Sequence, residues 1–270
     1  MAEDDIDWST VKPGYVHLPI YQEIKAQLQN LDNQERIIGG EEAVPNSIPY
    51  QVGLLIQVPK GISFCGGSLI SRKSVLTAAH CLDNATEIEI RLGAHRIKEE
   101  ENTQIRLKAI KYIQHAGWNK KTLQNDIGII ELAEEVALNE NVQLVTLPTN
   151  SDMGNTFYGV TGRISGWGLT GGNSTDISPV LKQLFAKVMK NSNCNVRYLG
   201  GIKSSHICTT GKGRVGASSG DSGGPLVYGN MQIGIASFVL RWEIGWPTVF
   251  TRVTSYLDWI ASNSDVTIIK

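Results

Sequence analysis

The chain reads as an all-β protein, and three observations say so. Its 270 residues hold 28 glycines and 9 prolines with only 7% aromatics, a composition that suits short strands joined by many turns. Glu87-Ile88-Glu89-Ile90-Arg91-Leu92 and Gln104-Ile105-Arg106-Leu107-Lys108 alternate with period two, while Tyr50 to Val58 is a buried apolar run, each bounded by turn residues. No comparable helical pattern interrupts them. Short strands at close spacing over most of the chain predict barrels or a sandwich, in two units that join near Leu147 to Asn155.

Residues 1 to 36 differ in character from the other 234. They hold three basic residues against seven acidic ones, no cysteine, and an apolar stripe at Ile20, Ile24, Leu28 and Leu31 that predicts an amphipathic helix after Pro19, covering apolar surface elsewhere. Residues 37 to 270 carry 22 basic against 19 acidic residues, too weak and dispersed an excess to select nucleic acid. No apolar run is long enough to span a membrane. At Arg36-Ile37-Ile38-Gly39-Gly40 a single basic residue precedes two β-branched residues and two flexible ones, so a trypsin-like enzyme could cut after Arg36. That cut would leave a charged α-amine on apolar Ile37, which tolerates burial only beside a carboxylate. At the other end, Thr254 or Ser255 is placed to cap a helix carrying Tyr256, Leu257, Trp259 and Ile260.

The cysteines Cys65, Cys81, Cys194 and Cys208 form no Cys-x-x-Cys pair, so two disulfides are expected rather than zinc, with three connectivities open. Asn84 and Asn173 begin glycosylation sequons that fit a secreted chain, although Met1 is followed by acidic residues and not by a signal peptide.

Three stretches carry chemistry. In Gly220-Asp221-Ser222-Gly223-Gly224-Pro225 a serine sits between glycine-bearing turns, which can expose its Oγ and leave backbone N–H groups free for an anion, the needs of an acyl-transfer nucleophile. Leu76-Thr77-Ala78-Ala79-His80-Cys81 flanks a histidine with small residues and a cysteine that could staple the turn to Cys65. Asn125-Asp126-Ile127-Gly128-Ile129 sets a carboxylate at the head of an apolar strand, where it needs hydrogen bonds such as a histidine N–H supplies.

Together with Ile37-Ile38-Gly39-Gly40, and in this order, these motifs resemble the chymotrypsin family of serine proteases over residues 37 to 270. The resemblance implies two packed six-stranded antiparallel β-barrels with a C-terminal helix: an activation prosegment at 1–36, an N-terminal barrel at 37–150, and a C-terminal barrel with the helix at 151–270. It implies that Ser222 attacks the scissile carbonyl, His80 moves the proton and Asp126 orients the imidazole, with Gly220 and Ser222 giving the oxyanion-hole N–H groups. It pairs Cys65 with Cys81 and Cys194 with Cys208, and leaves the third usual pair missing, Ser218 holding one of its positions and a residue near Trp242 the other. The pocket wall then depends on Trp242 and Trp246 for compensating packing. The amine of Ile37 would pair with Asp221, making the given chain a zymogen.

The pocket by the same resemblance is lined by Gly216, Ala217, Ser237, Phe238, Val239 and Thr248. Gly216 at its base offers nothing to a basic residue, while Val239 and Thr248 replace glycines and fill the slot, as in elastase-like members. The expectation is a secreted, digestive serine endopeptidase cutting after small or medium apolar P1 residues, the pattern of arthropod elastase-, chymotrypsin- or collagenase-like members. The alternatives are chymotrypsin-like preference for larger P1 groups or a non-catalytic binding protein. Glu243 could reach the pocket mouth. Expected partners are protein or peptide substrates, an activating trypsin-like protease and protein inhibitors of proteases. No cofactor or metal is expected, since Ala94 stands where a calcium loop would begin with an acid and Glu99 to Glu101 read as a solvated turn. A monomer is expected.

Overall fold

A computed structural model of the chain describes residues 6–14, 18–19, 40–168, 176–211, 221–239 and 245–269. Several sequence expectations lie outside these residues: the amphipathic helix from Ile20 to Leu31, Arg36 and Ile37, Asn173, the pocket and oxyanion positions Gly216, Ala217, Ser218 and Gly220, and Trp242 and Glu243.

Two short strands come first, β1 (Lys12–Pro13) and β2 (Glu41–Glu42). Then follow β3 (Gln51–Val58), β4 (Gly61–Leu69), β5 (Ser74–Thr77), β6 (Glu87–Leu92), β7 (Ile105–Gln114) and β8 (Gly128–Leu132). The order β4-β3-β6-β7-β8-β5 closes on itself through β4–β5, giving a six-stranded barrel with β1 added outside β4. The second ring uses β9 (Thr161–Gly166), β10 (Lys182–Met189), β11 (His206–Thr209), β12 (Pro225–Tyr228), β13 (Met231–Phe238) and β14 (Thr248–Arg252). It runs β11-β14-β13-β12-β9-β10 and closes through β10–β11, with β2 added outside β10. All pairings within the two rings are antiparallel.

Period two decides which side chains fill each barrel. Ile88, Ile90 and Leu92 of β6 are buried while Glu87 and Glu89 turn outward; in β10, Leu184, Ala186 and Val188 face in and Phe185 and Lys187 out. The run at Tyr50 to Val58 becomes β3, covered almost throughout. β7 runs well beyond the expected Gln104 to Lys108, to Gln114, with its register shifted between Ala109 and Lys111. Such an irregularity lets a strand bend and stay paired past the point where strict alternation would end it.

Buried polar bonds join the barrels. Ser165 Oγ donates to Gln51 Oε1 at 2.6 Å and Ser68 Oγ to Gln232 Oε1 at 2.6 Å. Between them Trp167, wholly buried, meets Phe64 edge-on with ring centroids 6.1 Å apart and gives its indole N–H to the carbonyl of His95 at 3.0 Å. A polar junction satisfied on both sides fixes the relative setting of the barrels more narrowly than greasy contact alone.

The helices correct two expectations. The terminal helix, Leu257–Asn263, has no side-chain cap from Thr254 or Ser255. Those residues lie in a tight 3-10 turn, Val253–Ser255, and backbone bonds such as Tyr256 N–H to Val253 O at 2.9 Å do the work of the cap. A second helix, Asn191–Arg197, is one that periodicity did not show, because Cys194 is its one buried residue. The disulfide from Cys194 to Cys208 ties it to β11. Among the described residues no helix is long and apolar enough to cross a membrane.

Candidate active site

His80 lies in the 3-10 turn Ala79–Leu82 just after β5. Its neighbour Cys81 is bonded to Cys65 in β4, so the turn is pinned to the barrel wall by a covalent bond. Asp126 is held by a loop whose preceding residue, Asn125, has φ +58°, a left-handed setting that asparagine tolerates better than most residues. The Tyr256 hydroxyl donates to Asn125 Oδ1 at 2.9 Å, and Thr251 Oγ1 donates to the Asp126 carbonyl at 2.7 Å, so β14 of the second barrel helps place a carboxylate belonging to the first.

The two side chains meet as the sequence predicted. His80 Nδ1 lies 2.8 Å from Asp126 Oδ2, and the His80 backbone N–H donates to Oδ1 at 2.9 Å. Ser237 Oγ adds a further donor to Oδ2 at 2.5 Å. Residues with exposures of 0% (His80) and 1% (Asp126) are dry, and a dry carboxylate persists only with donors of this kind. The arrangement puts the imidazole proton on Nδ1 and leaves Nε2 as an acceptor. Nε2 is buried and makes no hydrogen bond.

Ser222 enters from the second barrel, on the turn before β12, and is 7% exposed. Its carbonyl accepts the Gly66 N–H at 2.8 Å; Gly223 N–H donates to Ala236 O at 2.8 Å, and Gly224 N–H to Asp221 O at 2.9 Å. Gly223 has φ +81°, and a Cβ there would lie 2.3 Å from Thr77 Oγ1 and 2.5 Å from the Gly66 carbonyl. Only glycine fits so close an approach. Nε2 makes no hydrogen bond, so the Ser222 hydroxyl is not bonded to the imidazole in this structure; such contacts commonly tighten when substrate arrives.

Beside the serine, Asp221 is buried, and its Oδ1 accepts the Gly168 N–H at 2.9 Å. Gly166 makes the room, since a Cβ there would sit 2.3 Å from that oxygen.

The remaining predicted residues are only partly gathered. Ser237 and Phe238 end β13, Val239 comes next, and Thr248 opens β14 across from Thr209. Ser237 was expected as pocket wall; its hydroxyl bond to Asp126 is a link that the sequence did not expose, since nothing local ties a serine at the end of β13 to a carboxylate 111 residues earlier. By strand parity the paired Thr248 and Thr209 turn to the same side as Phe250 and Ile207, and both of their Oγ1 atoms are buried without partners. Phe238 and Trp246 each meet Tyr198 edge-on with centroids 5.6 Å apart, and the Tyr198 hydroxyl donates to the Pro247 carbonyl. Trp246 thus supplies packing of the kind expected to offset a missing disulfide.

Only one group of histidine, cysteine and carboxylate side chains among the described residues is close enough to suggest a metal, Cys65, His80 and Cys81, and its sulfurs are bonded to each other. Glu101 folds back on the chain, Oε2 accepting the N–H groups of His95 and Arg96 at 2.7 Å each.

Two six-stranded barrels, a buried histidine–aspartate pair held by donors from both, and a serine on a glycine-bound turn define a serine hydrolase of the two-barrel class. The comparisons agree. The family described as Trypsin matches residues 37–260, and the chain belongs to this family of serine proteases. It is 41% identical to a brachyurin from Leptuca pugilator over 233 residues, 86% of this chain and all of the relative. A chymotrypsin from Phaedon cochleariae is 37% identical over 262 residues, 97% of this chain and 92% of the relative. Among solved structures, an HL collagenase superposes with TM-score 0.79 at 35% identity, covering 86% of this chain and all of that one.

Proposed function

We propose that the chain is the zymogen of a secreted digestive endopeptidase, activated by cleavage after Arg36, that cuts after small or medium apolar P1 residues. The observation that carries the catalytic part is the His80–Asp126 pair set beside the Ser222 turn. Ser222 Oγ attacks the scissile carbonyl; His80 Nε2 takes the hydroxyl proton and returns it to the leaving amine; Asp126 holds the proton of Nδ1 in place and supports the positive charge. The N–H groups of Ser222 and Gly220 receive the oxyanion.

Activation rests on Asp221. Its carboxylate is buried beside the nucleophile, and the amine freed on Ile37 is a matching charge for it. The apolar P1 preference rests on Gly216, which offers no charge, and on Val239 and Thr248, whose side chains take up room an aromatic P1 group would need. Secretion is supported by two disulfides.

A serine-directed phosphonate tests the reading. Full labelling at Ser222 is expected after trypsin treatment and little before it, and Arg36→Gln should remove the difference by blocking activation. Ordinary turnover by the uncut variant would sink the zymogen reading. Rapid self-activation of the purified chain would sink the apolar pocket, because an enzyme that prefers apolar P1 residues does not cut after arginine. A P1-varied peptide library then ranks Ala, Val and Leu against Phe and Tyr.

A further inference from the structure

Strand β4 has an edge that its barrel leaves open. One side pairs with β3 along the whole strand, whereas β5 reaches the other side only at Ser68 and Leu69. Two things fill the rest of that second edge. Gly66 gives its N–H to the carbonyl of Ser222, and the residues before it pair with β1, Lys12 beside Ser63 and Pro13 beside Phe64. Phe64 and Gly66 are two apart, so their backbone groups point to the same edge, about 7 Å from each other along the strand. The N-terminal segment therefore lies next to the residue that anchors the nucleophile.

The segment is seated by more than two residues. A turn at Asp7 to Thr10, closed by Ser9 N–H to Asp7 Oδ1 at 3.0 Å and Thr10 N–H to Asp7 O at 3.0 Å, sends the chain toward β4. Within the turn, the Trp8 ring has the guanidinium of buried Arg91 at 5.2 Å from its centre. After it, Val11 is buried as part of the first barrel's core. Gly14 runs so close to the disulfide that a Cβ would lie 2.4 Å from Cys65 Sγ and 3.8 Å from Cys81 Sγ. His80, adjacent to Cys81, has its Nε2 closed to solvent.

We infer that this edge is a docking groove for extended peptide and that residues 6–14 are its own occupant, a built-in competitive inhibitor of the protease. If the acyl side of a substrate pairs with Ser237 to Val239, the leaving side exits beyond Ser222, whose carbonyl is bound to Gly66 of β4, and the segment sits two residues along that same edge, against Cys65. β1 pairs with β4 in parallel. The segment blocks that exit by adding a strand to the sheet. Holding it there needs no covalent tie, so it remains a ligand after the chain is cut. The inference rests on the reading that cleavage after Arg36 activates the enzyme.

The test uses the full chain cut with trypsin, its new terminus sequenced as Ile37 and residues 1–36 removed. A synthetic peptide of residues 6–19 is titrated against an internally quenched substrate with four residues on the leaving side and against an acyl p-nitroanilide. The apparent KM for the long substrate should rise in proportion to peptide with kcat unchanged, and the p-nitroanilide should be affected far less. Trp8→Ala in the peptide should weaken inhibition about tenfold, and Gly14→Val should abolish it. A peptide that spares both substrates, lowers kcat without raising KM, or loses nothing with Trp8→Ala overturns the proposal. If no Ile37 terminus appears, the activation reading alone has failed. Docking is then read on the intact chain, where Gly14→Val should speed hydrogen exchange at the Phe64 amide and unchanged exchange overturns it.

Discussion

Ser237 Oγ lies 2.5 Å from Oδ2 of Asp126, the same oxygen that faces His80 Nδ1 at 2.8 Å. The second barrel thus reaches into the first to hold the carboxylate that orients the imidazole. Ser237→Ala removes that donor while the backbone of β13 stays as it is. A hydrogen bond to a charged group contributes about 1.5 to 3 kcal/mol, so kcat should fall about tenfold or more. KM should change by less than about threefold, because substrate would pair with the backbone and not the hydroxyl. A loss confined to KM in steady-state assays would assign Ser237 to the pocket wall alone.

Gly223 allows a sharper test of the nucleophile turn. At φ +81°, with Thr77 Oγ1 and the Gly66 carbonyl crowding its face, Gly223→Ala cannot be absorbed by a flexible side chain. Ser222 must move, and a displacement of about 1 Å at a reacting group costs about 100-fold in rate. The control is Gly229→Ala, with φ +60° and open space around it, which should cost about 1 kcal/mol of stability and no activity. Equal kcat/KM for both variants would contradict the crowding argument.

Thr248 tests the pocket. Its side chain is buried on the face it shares with Thr209, and neither hydroxyl has a partner. Thr248→Gly removes volume and a buried orphan at once, so the kcat/KM ratio for Phe over Ala at P1 should rise about tenfold. An unchanged ratio would place the size filter elsewhere in the wall.

How much was legible in the sequence depends on how far each signal reaches along the chain. Alternation in Glu87–Leu92 is local and marked β6. The motifs around His80, Asp126 and Ser222 are local too, and the histidine–aspartate bond formed as their chemistry required. The Ser237–Asp126 and Thr251–Asp126 bonds span 111 and 125 residues and depend on barrel packing, which leaves no trace in either stretch. The helix at Asn191–Arg197 was invisible because a disulfide, and not an apolar stripe, holds it. β1 was hidden for a similar reason: Lys12-Pro13 has no strand pattern of its own and is extended because an open edge receives it.

His206 is one group that lowers stability on the acid side. It is buried at the start of β11, edge-on to Phe238 with centroids 6.0 Å apart, and its Nδ1 accepts the Lys203 N–H at 3.0 Å. Burial holds its pKa below the ordinary value of 6.5, partly opposed by a hydrogen bond to the Leu123 carbonyl and by the charge of Asp126. Lys203 and Arg252, also close by, push the same way as burial. The folded chain therefore binds this proton less readily than the unfolded chain does. Where the unfolded state binds more protons, stability rises with pH, so this residue costs nothing well above 6.5 and destabilises as pH falls through that value. His206→Gln keeps a polar group at the site without the charge. Its urea midpoint should fall less steeply than the parent's between about pH 7 and pH 5, with the two curves converging in shape above pH 7. Parallel curves over the whole range would mean that His206 is protonated as easily in the fold as out of it.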